Sequence, residues 1–142
     1  MYSAQTDILL QISDVELAQL TSDDGVSIDE DVVNKAITDA DADIDSYLGK
    51  VYSVPLSTAS AKVNQLSVTI AIYKLHSRRA AQLGGVSEIV RTNYEDAIRF
   101  LEQAAAGKVT IGVDPPPAKA STTGGKFSAD ERRFTRDEMD GY

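Results

Sequence analysis

Apolar residues recur with helical spacing along the chain as far as about residue 107. Near the N-terminus, Thr6 is expected to cap a short helix, and Ser13, with Glu16 three residues later, has the spacing of a capping box for a second helix. Asp29 is expected to cap a long helix that ends at Gly49. The apolar stripe of this long helix consists of Val33, Ala36, Ile37, Ala40, Ile44, Tyr47 and Leu48.

Two further helices are predicted over residues 60–83 and 87–106, separated by two glycines. Because the first of them is apolar on two faces, we expect it to be buried on two sides, either at the centre of the bundle or between this subunit and the next. Its faces carry Val63, Leu66, Ile70 and Tyr73 on one side and Val68, Ile72 and Leu75 on the other. Residues 108–112 form a short β-like run. The pattern predicts an all-α fold, a small antiparallel helical bundle with a short β-like segment and an extended C-terminal arm.

The composition changes abruptly near Asp114, where a proline-rich stretch is followed by a Gly/Ser/Thr-rich one. We therefore expect a helical domain over residues 1–112 and a linker with a C-terminal docking arm over residues 113–142. A frayed tail with incidental aromatic residues is the alternative. The side chains expected to dock on a partner are Phe127, Arg132, Arg133, Phe134, Arg136, Met139 and Tyr142.

The net charge of −8 is distributed unevenly, because residues 1–48 carry twelve acidic side chains and one basic one, whereas residues 49–142 carry ten acidic and thirteen basic ones. Ordinary solvation of the surface explains this pattern. Head-to-tail assembly also explains it, if the acidic half of one copy meets the basic half of the next. In that case the subunit-interface residues are Asp39, Asp41, Asp43, Asp45, Lys74, Arg78, Arg79, Arg91 and Arg99.

The chain offers little catalytic material, since it has no cysteine and a single histidine, His76. Its sequence contains no phosphate-binding glycine loop and no nucleophile elbow. The aspartate-rich stretch after Leu20 resembles a calcium loop, but Leu20 and Ser22 would occupy its first and third ligand positions. We therefore expect no enzyme activity, no metal and no cofactor, and we interpret His76 as an ordinary helix or interface residue. No membrane span or signal peptide is visible either.

Six segments, distributed along nearly the whole chain, carry a resemblance to a known family. In chain order they read MYSAQTDILLQ, DVELAQLTSDDG, AITDADADIDSYL, GKVYSVPL, LEQAAAGKVTIGV and RRFTRDEMDGY. Each segment is weakly specific alone, but their succession resembles a Mu-like phage family that is often labelled phage protein of unknown function. This family is grouped with the head–tail connectors, also called adaptors.

The resemblance implies a structural virion protein made in the host cytoplasm and located in the neck of the particle. Such a subunit would form a homo-oligomeric ring, dodecameric to match the portal, and would contact the portal protein and a stopper or tail-completion protein. DNA would pass through the lumen without sequence-specific binding, and no membrane would be involved. The alternative is an acidic regulatory protein that mimics DNA and binds a DNA-binding partner through the aspartate row between residues 39 and 45.

Overall fold

The computed structural model describes residues 1–116, which contain six α-helices. They are α1 (Gln5–Leu9), α2 (Asp14–Thr21), α3 (Glu30–Leu48), α4 (Ala61–Arg78), α5 (Ala80–Leu83) and α6 (Glu88–Ala105). The docking residues predicted for the C-terminal arm, from Phe127 to Tyr142, lie outside the described residues. Every helix within residues 1–116 is too short or too polar to cross a membrane.

Helix α4 lies at the centre of the bundle, where it packs against α3 and α6 and also contacts α1 and α2. Both of its predicted apolar faces are buried, with Ile70 0% and Val68 1% exposed. The two-sided burial is confirmed, and the helices of the same chain account for both sides. The all-α prediction is confirmed as well, because every helix or strand assigned within residues 1–116 is an α-helix.

Helices α4 and α6 run antiparallel to each other. Tyr73 of α4 stacks on Tyr94 in the first half of α6, with ring centroids 3.9 Å apart. Lys62, near the start of α4, lies over the ring of Phe100, near the end of α6, at 4.6 Å from the ring centroid. The two helices therefore run in opposite directions, and the aromatic contacts fix their register.

Side-chain caps begin most of the helices where the sequence predicts them. Ser13 accepts a hydrogen bond from the backbone N–H of Glu16, and Asp29 accepts from two N–H groups in the first turn of α3. The cap predicted at Thr6 is wrong. Helix α1 starts after Ala4, whose N–H donates to the Asp7 carboxylate at 2.9 Å.

The helix predicted over residues 60–83 is interrupted at Arg79, which leaves helical geometry with φ −104° and ψ 8°. Arg78, just before the break, and Arg79, at the break, both reach the C-terminal end of α2. Helix α5 then ends at Gly84, whose positive φ of 76° is a backbone conformation that glycine adopts without strain.

The β-like run at residues 108–112 does not form a strand, and no strand occurs anywhere in residues 1–116. A strand needs a partner for its backbone hydrogen bonds, and the helical bundle supplies none. Instead, the segment folds back on the start of α4, where Ile111 is fully buried and its carbonyl accepts from the Ser60 hydroxyl.

Candidate assembly surfaces

The N-terminal segment lies against α3 and α4 and buries Tyr2 and Ser3. The backbone N–H of Tyr2 donates to the Asp41 carboxylate at 2.8 Å, and its phenol donates to the Asp45 carboxylate. The phenol oxygen also accepts from the N–H of Leu56 at 2.9 Å. Two of the four acidic residues predicted for a subunit interface thus bind the N-terminal segment of their own chain.

Two polar residues of α4 extend this arrangement. Ser67 is fully buried, lies 2.7 Å from the Ser3 hydroxyl and donates to Asp41 at 2.7 Å. The side-chain amide of Asn64 donates to the carbonyl of Tyr2 at 3.0 Å. We call this set the N-terminal polar network; it comprises Tyr2, Ser3, Asp41, Asp45, Asn64 and Ser67. Sequence reasoning missed it, and the available signal was a small polar residue at 67 between apolar neighbours in a central helix.

Burial raises the pKa of Tyr2 to about 12. The hydrogen bond to the Asp45 carboxylate acts in the same direction, because ionisation of the phenol would remove the donor and place two negative charges side by side. At neutral pH the phenol therefore stays protonated, donates to Asp45 on α3 and accepts from the N–H of Leu56 in the segment that follows α3. This is a structural role.

The two other aspartates of the row also have partners in the same chain. Asp39 pairs with Lys35 one turn earlier on α3, and Asp43 pairs with Lys74 of α4 at 2.8 Å. Both carboxylates are partly exposed, with 42% and 39% of their side-chain surface accessible. Ion pairs with this exposure contribute about 0–1 kcal/mol each.

Arg78 and Arg79 hold the C-terminal end of α2. Arg78 donates to the carbonyls of Leu20 and Thr21 at 3.1 and 3.2 Å, and Arg79 pairs with Asp23 at 2.8 Å. The last carbonyls of a helix have no partner within it and carry a partial negative charge, so cations are favourable there. Both arginines therefore stabilise the packing of α2 on the bundle.

The two remaining residues of the predicted interface lie on α6. Arg99 pairs with Asp96 at 2.9 Å on the surface of that helix, whereas Arg91 is exposed. Except for Arg91, every residue predicted for the interface has a polar partner within residues 1–116. Two of these ion pairs, Asp43 with Lys74 and Asp23 with Arg79, join the acidic half to the basic half inside one chain. Contact between the halves of different copies stays a prediction.

A cavity of about 450 Å³ opens between α2, the end of α4, α5 and the start of α6. His76 forms part of its wall, and His76 Nε2 lies 3.4 Å from a carboxylate oxygen of Glu16. The two serine hydroxyls at the wall are already engaged as helix caps, Ser13 for α2 and Ser87 for α6. The geometry places no activated nucleophile beside His76. We call this feature the α2–α5 cavity; its lining is Ser13, Val15, Glu16, Gln19, Leu20, His76, Leu83, Gly85 and Ser87.

The aspartate-rich loop between α2 and α3 uses its carboxylates locally. Asp24 accepts from the backbone N–H of Val26 at 3.0 Å and from the Ser22 hydroxyl at 2.7 Å. These hydrogen bonds, the backbone one first, lower the pKa of Asp24. Within residues 1–116, acidic side chains and the histidine do not come together in a group of three that could hold a metal ion.

The fold and its surfaces define a small helical-bundle protein whose core closes within one chain. A family model described as Bacteriophage Mu, Gp36 matches residues 2–129 of the chain. The chain therefore belongs to this family of Mu-like phage proteins, and the resemblance seen in the sequence is confirmed.

Two curated relatives support the assignment. The chain is 41% identical over 87 residues to the Mu-like prophage FluMu protein gp36 of Haemophilus influenzae, a match that covers 61% of this chain and 57% of the relative. It is 29% identical over 86 residues to gene product J of Escherichia phage Mu, again covering 61% of this chain and 57% of the relative. The chain thus spans somewhat more than half the length of these relatives.

Proposed function

We propose that the protein is a structural virion protein, a head–tail connector subunit that forms a ring below the portal, and that it is not an enzyme. The observation that carries the proposal is the match of residues 2–129 to a family of Mu-like phage proteins. The segments quoted above resemble, in the same order, a Mu-like phage family that is grouped with the head–tail connectors. The proposed location is the neck of the virion, where the ring would join the portal protein to a stopper or tail-completion protein.

The architecture of the subunit supports this role. Its core closes within one chain around α4, so the subunit can fold before it assembles. The apolar residues that the fold leaves uncovered include Val15 and Leu83 at one end of the bundle, which are 65% and 49% exposed. Exposed apolar side chains of this kind are typical of surfaces that contact another protein.

The charge of the subunit suits a DNA channel that does not hold DNA tightly. Residues 1–48 keep a large excess of acidic side chains, and several of them are exposed, including Asp23, Glu30 and Asp31. Negative charge repels the phosphate backbone, so DNA would slide past such a surface without sequence-specific binding.

The DNA-mimic alternative receives less support from the geometry. A mimic needs a row of accessible carboxylates, but only 13% of the Asp41 side chain is exposed and Asp45 binds the Tyr2 phenol. The Asp39 and Asp43 carboxylates are each paired with a lysine. The row therefore serves packing within the subunit.

Electron microscopy of the purified full chain, alone and mixed with the portal protein of the same phage, tests the proposal. We expect rings, or a collar stacked on the portal with twelvefold symmetry. Phage in which the gene is inactivated should yield heads and tails that fail to join, and the wild-type gene should restore joining. Persistent monomers that bind a DNA-binding protein, and never the portal, would contradict the connector role and favour the mimic.

A further inference from the structure

The α2–α5 cavity combines a buried apolar floor with an exposed apolar rim. Leu20 at the floor is 1% exposed, whereas Val15 and Leu83 at the rim are 65% and 49% exposed. Ile89, two residues after the cap of α6, is 74% exposed. Several large apolar side chains left accessible around one concave site indicate a surface that another polypeptide covers.

The polar groups of the cavity define the charge that an occupant should carry. Glu16 at the wall has 44% of its side chain exposed, and Asp14, in the same first turn of α2, is exposed as well. His76 Nε2 is buried and has no hydrogen-bond partner within residues 1–116. A segment that fills the cavity should therefore carry apolar side chains, which would cover the rim, and cationic side chains, which would pair with the acidic groups beside it.

We infer that, in the ring of the proposed function, residues 126–142 of a neighbouring copy fill the α2–α5 cavity. This inference rests on the proposed function for the presence of a neighbour. The segment carries apolar anchors and arginines close together, as the cavity requires. The anchors are Phe127, Phe134, Met139 and Tyr142, and the arginines are Arg132, Arg133 and Arg136.

The last described residues lie at the start of α4, whereas the α2–α5 cavity of the same chain lies at the other end of that helix. The Ser60 hydroxyl holds the carbonyl of Ile111 at the start of α4, and Pro115 and Pro116 beyond it are exposed. His76 lies sixteen residues after Ser60, about 24 Å along the helix axis at 1.5 Å per residue. The chain thus leaves the bundle at the end of α4 opposite to its own cavity.

A head-to-tail arrangement would bring the cavity of the next copy towards that exit. Contacts of this heterologous type are the ones that generate rings, because each copy offers one surface and receives the other. The ten residues 117–126 can span at most about 33–36 Å, which is enough to reach an adjacent subunit and also exceeds the distance of about 24 Å to the chain's own cavity. The head-to-tail geometry of a ring, and not the length of the linker, therefore favours the neighbour.

Because the chain contains no cysteine, engineered cysteines can test the contact in the full-length protein. One variant carries Leu83→Cys at the rim, and a second variant, with a size tag, carries Tyr142→Cys. The two are mixed under ring-forming conditions with the portal and mildly oxidised. A disulfide requires Cα atoms within about 7 Å, so we expect a heterodimer band on non-reducing gels. Gln103→Cys, on the exposed surface of the last turn of α6, replaces Leu83→Cys as the control and should give none.

A second pair of variants tests the apolar rim. Adding Val15→Asp to the Leu83→Cys variant should lower the yield of heterodimer about tenfold, because the arm would then meet a charge where it buries an anchor. Val26→Asp is the matched control, since Val26 is 83% exposed and lies outside the cavity lining. The combination Phe134→Ala with Tyr142→Cys should reduce the yield in the same way.

Each outcome decides the inference. Heterodimer formation that needs Leu83→Cys and falls with Val15→Asp supports it. Equal cross-linking to Gln103→Cys overturns it, and so does a purely intramolecular disulfide in a chain that carries both cysteines, which would place the arm in its own cavity. Rings without the cross-link overturn the arm contact and leave the connector proposal standing. Absence of both rings and cross-link overturns both.

Discussion

The two ends of α4 differ in their surroundings, with buried hydrogen bonds at one end and exposed apolar side chains at the other. At its N-terminal end, Ser60, Asn64 and Ser67 each donate a hydrogen bond to another part of the same chain. At its C-terminal end, the apolar rim of the α2–α5 cavity stays exposed, including Leu83. Within residues 1–116 His76 Nε2 makes no hydrogen bond there, although the Glu16 carboxylate lies 3.4 Å away. Both ends thus bind other parts of the same chain, but only the C-terminal end also keeps an exposed apolar rim, which we propose that a neighbouring copy covers.

This difference separates stability from assembly. Buried hydrogen bonds are costly to break, because each unmatched donor or acceptor loses its contact with water as well as its partner. Exposed apolar side chains contribute little to the folded monomer and gain free energy only when something covers them. We therefore expect substitutions at the N-terminal end to change unfolding and substitutions at the rim to change association.

The largest effect on stability is expected for a substitution in the middle of α4, at the centre of the bundle. Ile70→Asp would place an unpaired charge at a fully buried position. The cost should reach several kcal/mol, a large share of the roughly 5–15 kcal/mol that stabilises a domain. Circular dichroism should show an unfolded or much less stable protein. Gln65→Asp, on the exposed side of α4, is the control and should melt near the wild-type temperature. Equal melting temperatures for the two variants would contradict the placement of α4 at the centre of the bundle.

A smaller effect is expected for the N-terminal polar network. Asp41→Ala removes the acceptor for the N–H of Tyr2 and for the hydroxyl of Ser67. The N–H of Tyr2 would then lack an acceptor, whereas the Ser67 hydroxyl can still donate to Ser3, so the loss should be about 1–3 kcal/mol in the free energy of unfolding, measured by urea denaturation. Asp39→Ala is the matched control on the same helix and should cost less than about 1 kcal/mol, because it removes only an exposed pair with Lys35.

The same two variants also test the charged interface between copies. If Asp39→Ala weakens ring formation while stability is unchanged, the predicted contact between acidic and basic halves gains support. Equal loss of stability in both variants would contradict the buried role of Asp41.

The helices could be predicted from the sequence because their determinants are local. The apolar stripe of α3 repeats every three or four residues, and Ser13 and Asp29 cap the helices that they precede. The start of α1 was predicted less exactly, because two adjacent residues were both able to cap its first turn. Thr6 is a good cap residue by type, but Asp7 closes the turn from one position later, so α1 starts earlier than expected.

The partners of the polar residues could not be predicted, because they are distant in sequence. Asp41 lies 39 positions from Tyr2, and Ser67 lies 64 positions from Ser3. A row of aspartates at the edge of an apolar stripe looks the same in a sequence whether it faces water, another copy or the N-terminal segment. The domain boundary near residue 112 and the docking residues of the arm stay predictions, since the residues beyond 116 are not described.

The smallest predicted effect on stability concerns the Tyr2 phenol of the N-terminal polar network and depends on pH. Tyr2→Phe removes one hydrogen bond to Asp45 and one from Leu56, and should cost about 1–2 kcal/mol at neutral pH. The pKa of Tyr2 is raised from 10.0 to about 12 in the folded protein, so folding favours the protonated phenol. Its contribution is complete below the unfolded pKa near 10 and is lost as the pH rises towards 12.

The difference in stability between wild type and Tyr2→Phe should therefore be constant up to about pH 9 and shrink above about pH 10, as followed by urea denaturation. Burial also raises the pKa of Tyr94, but that residue is present in both proteins and cancels in the comparison. Tyr47→Phe, which alters a partly buried tyrosine outside the network, provides the control and should leave the pH dependence unchanged. If the difference between wild type and Tyr2→Phe stays constant through about pH 11, the phenol is not held as a hydrogen-bond donor. The contacts at the N-terminal end of α4 would then be made by backbone and serine groups without the phenol.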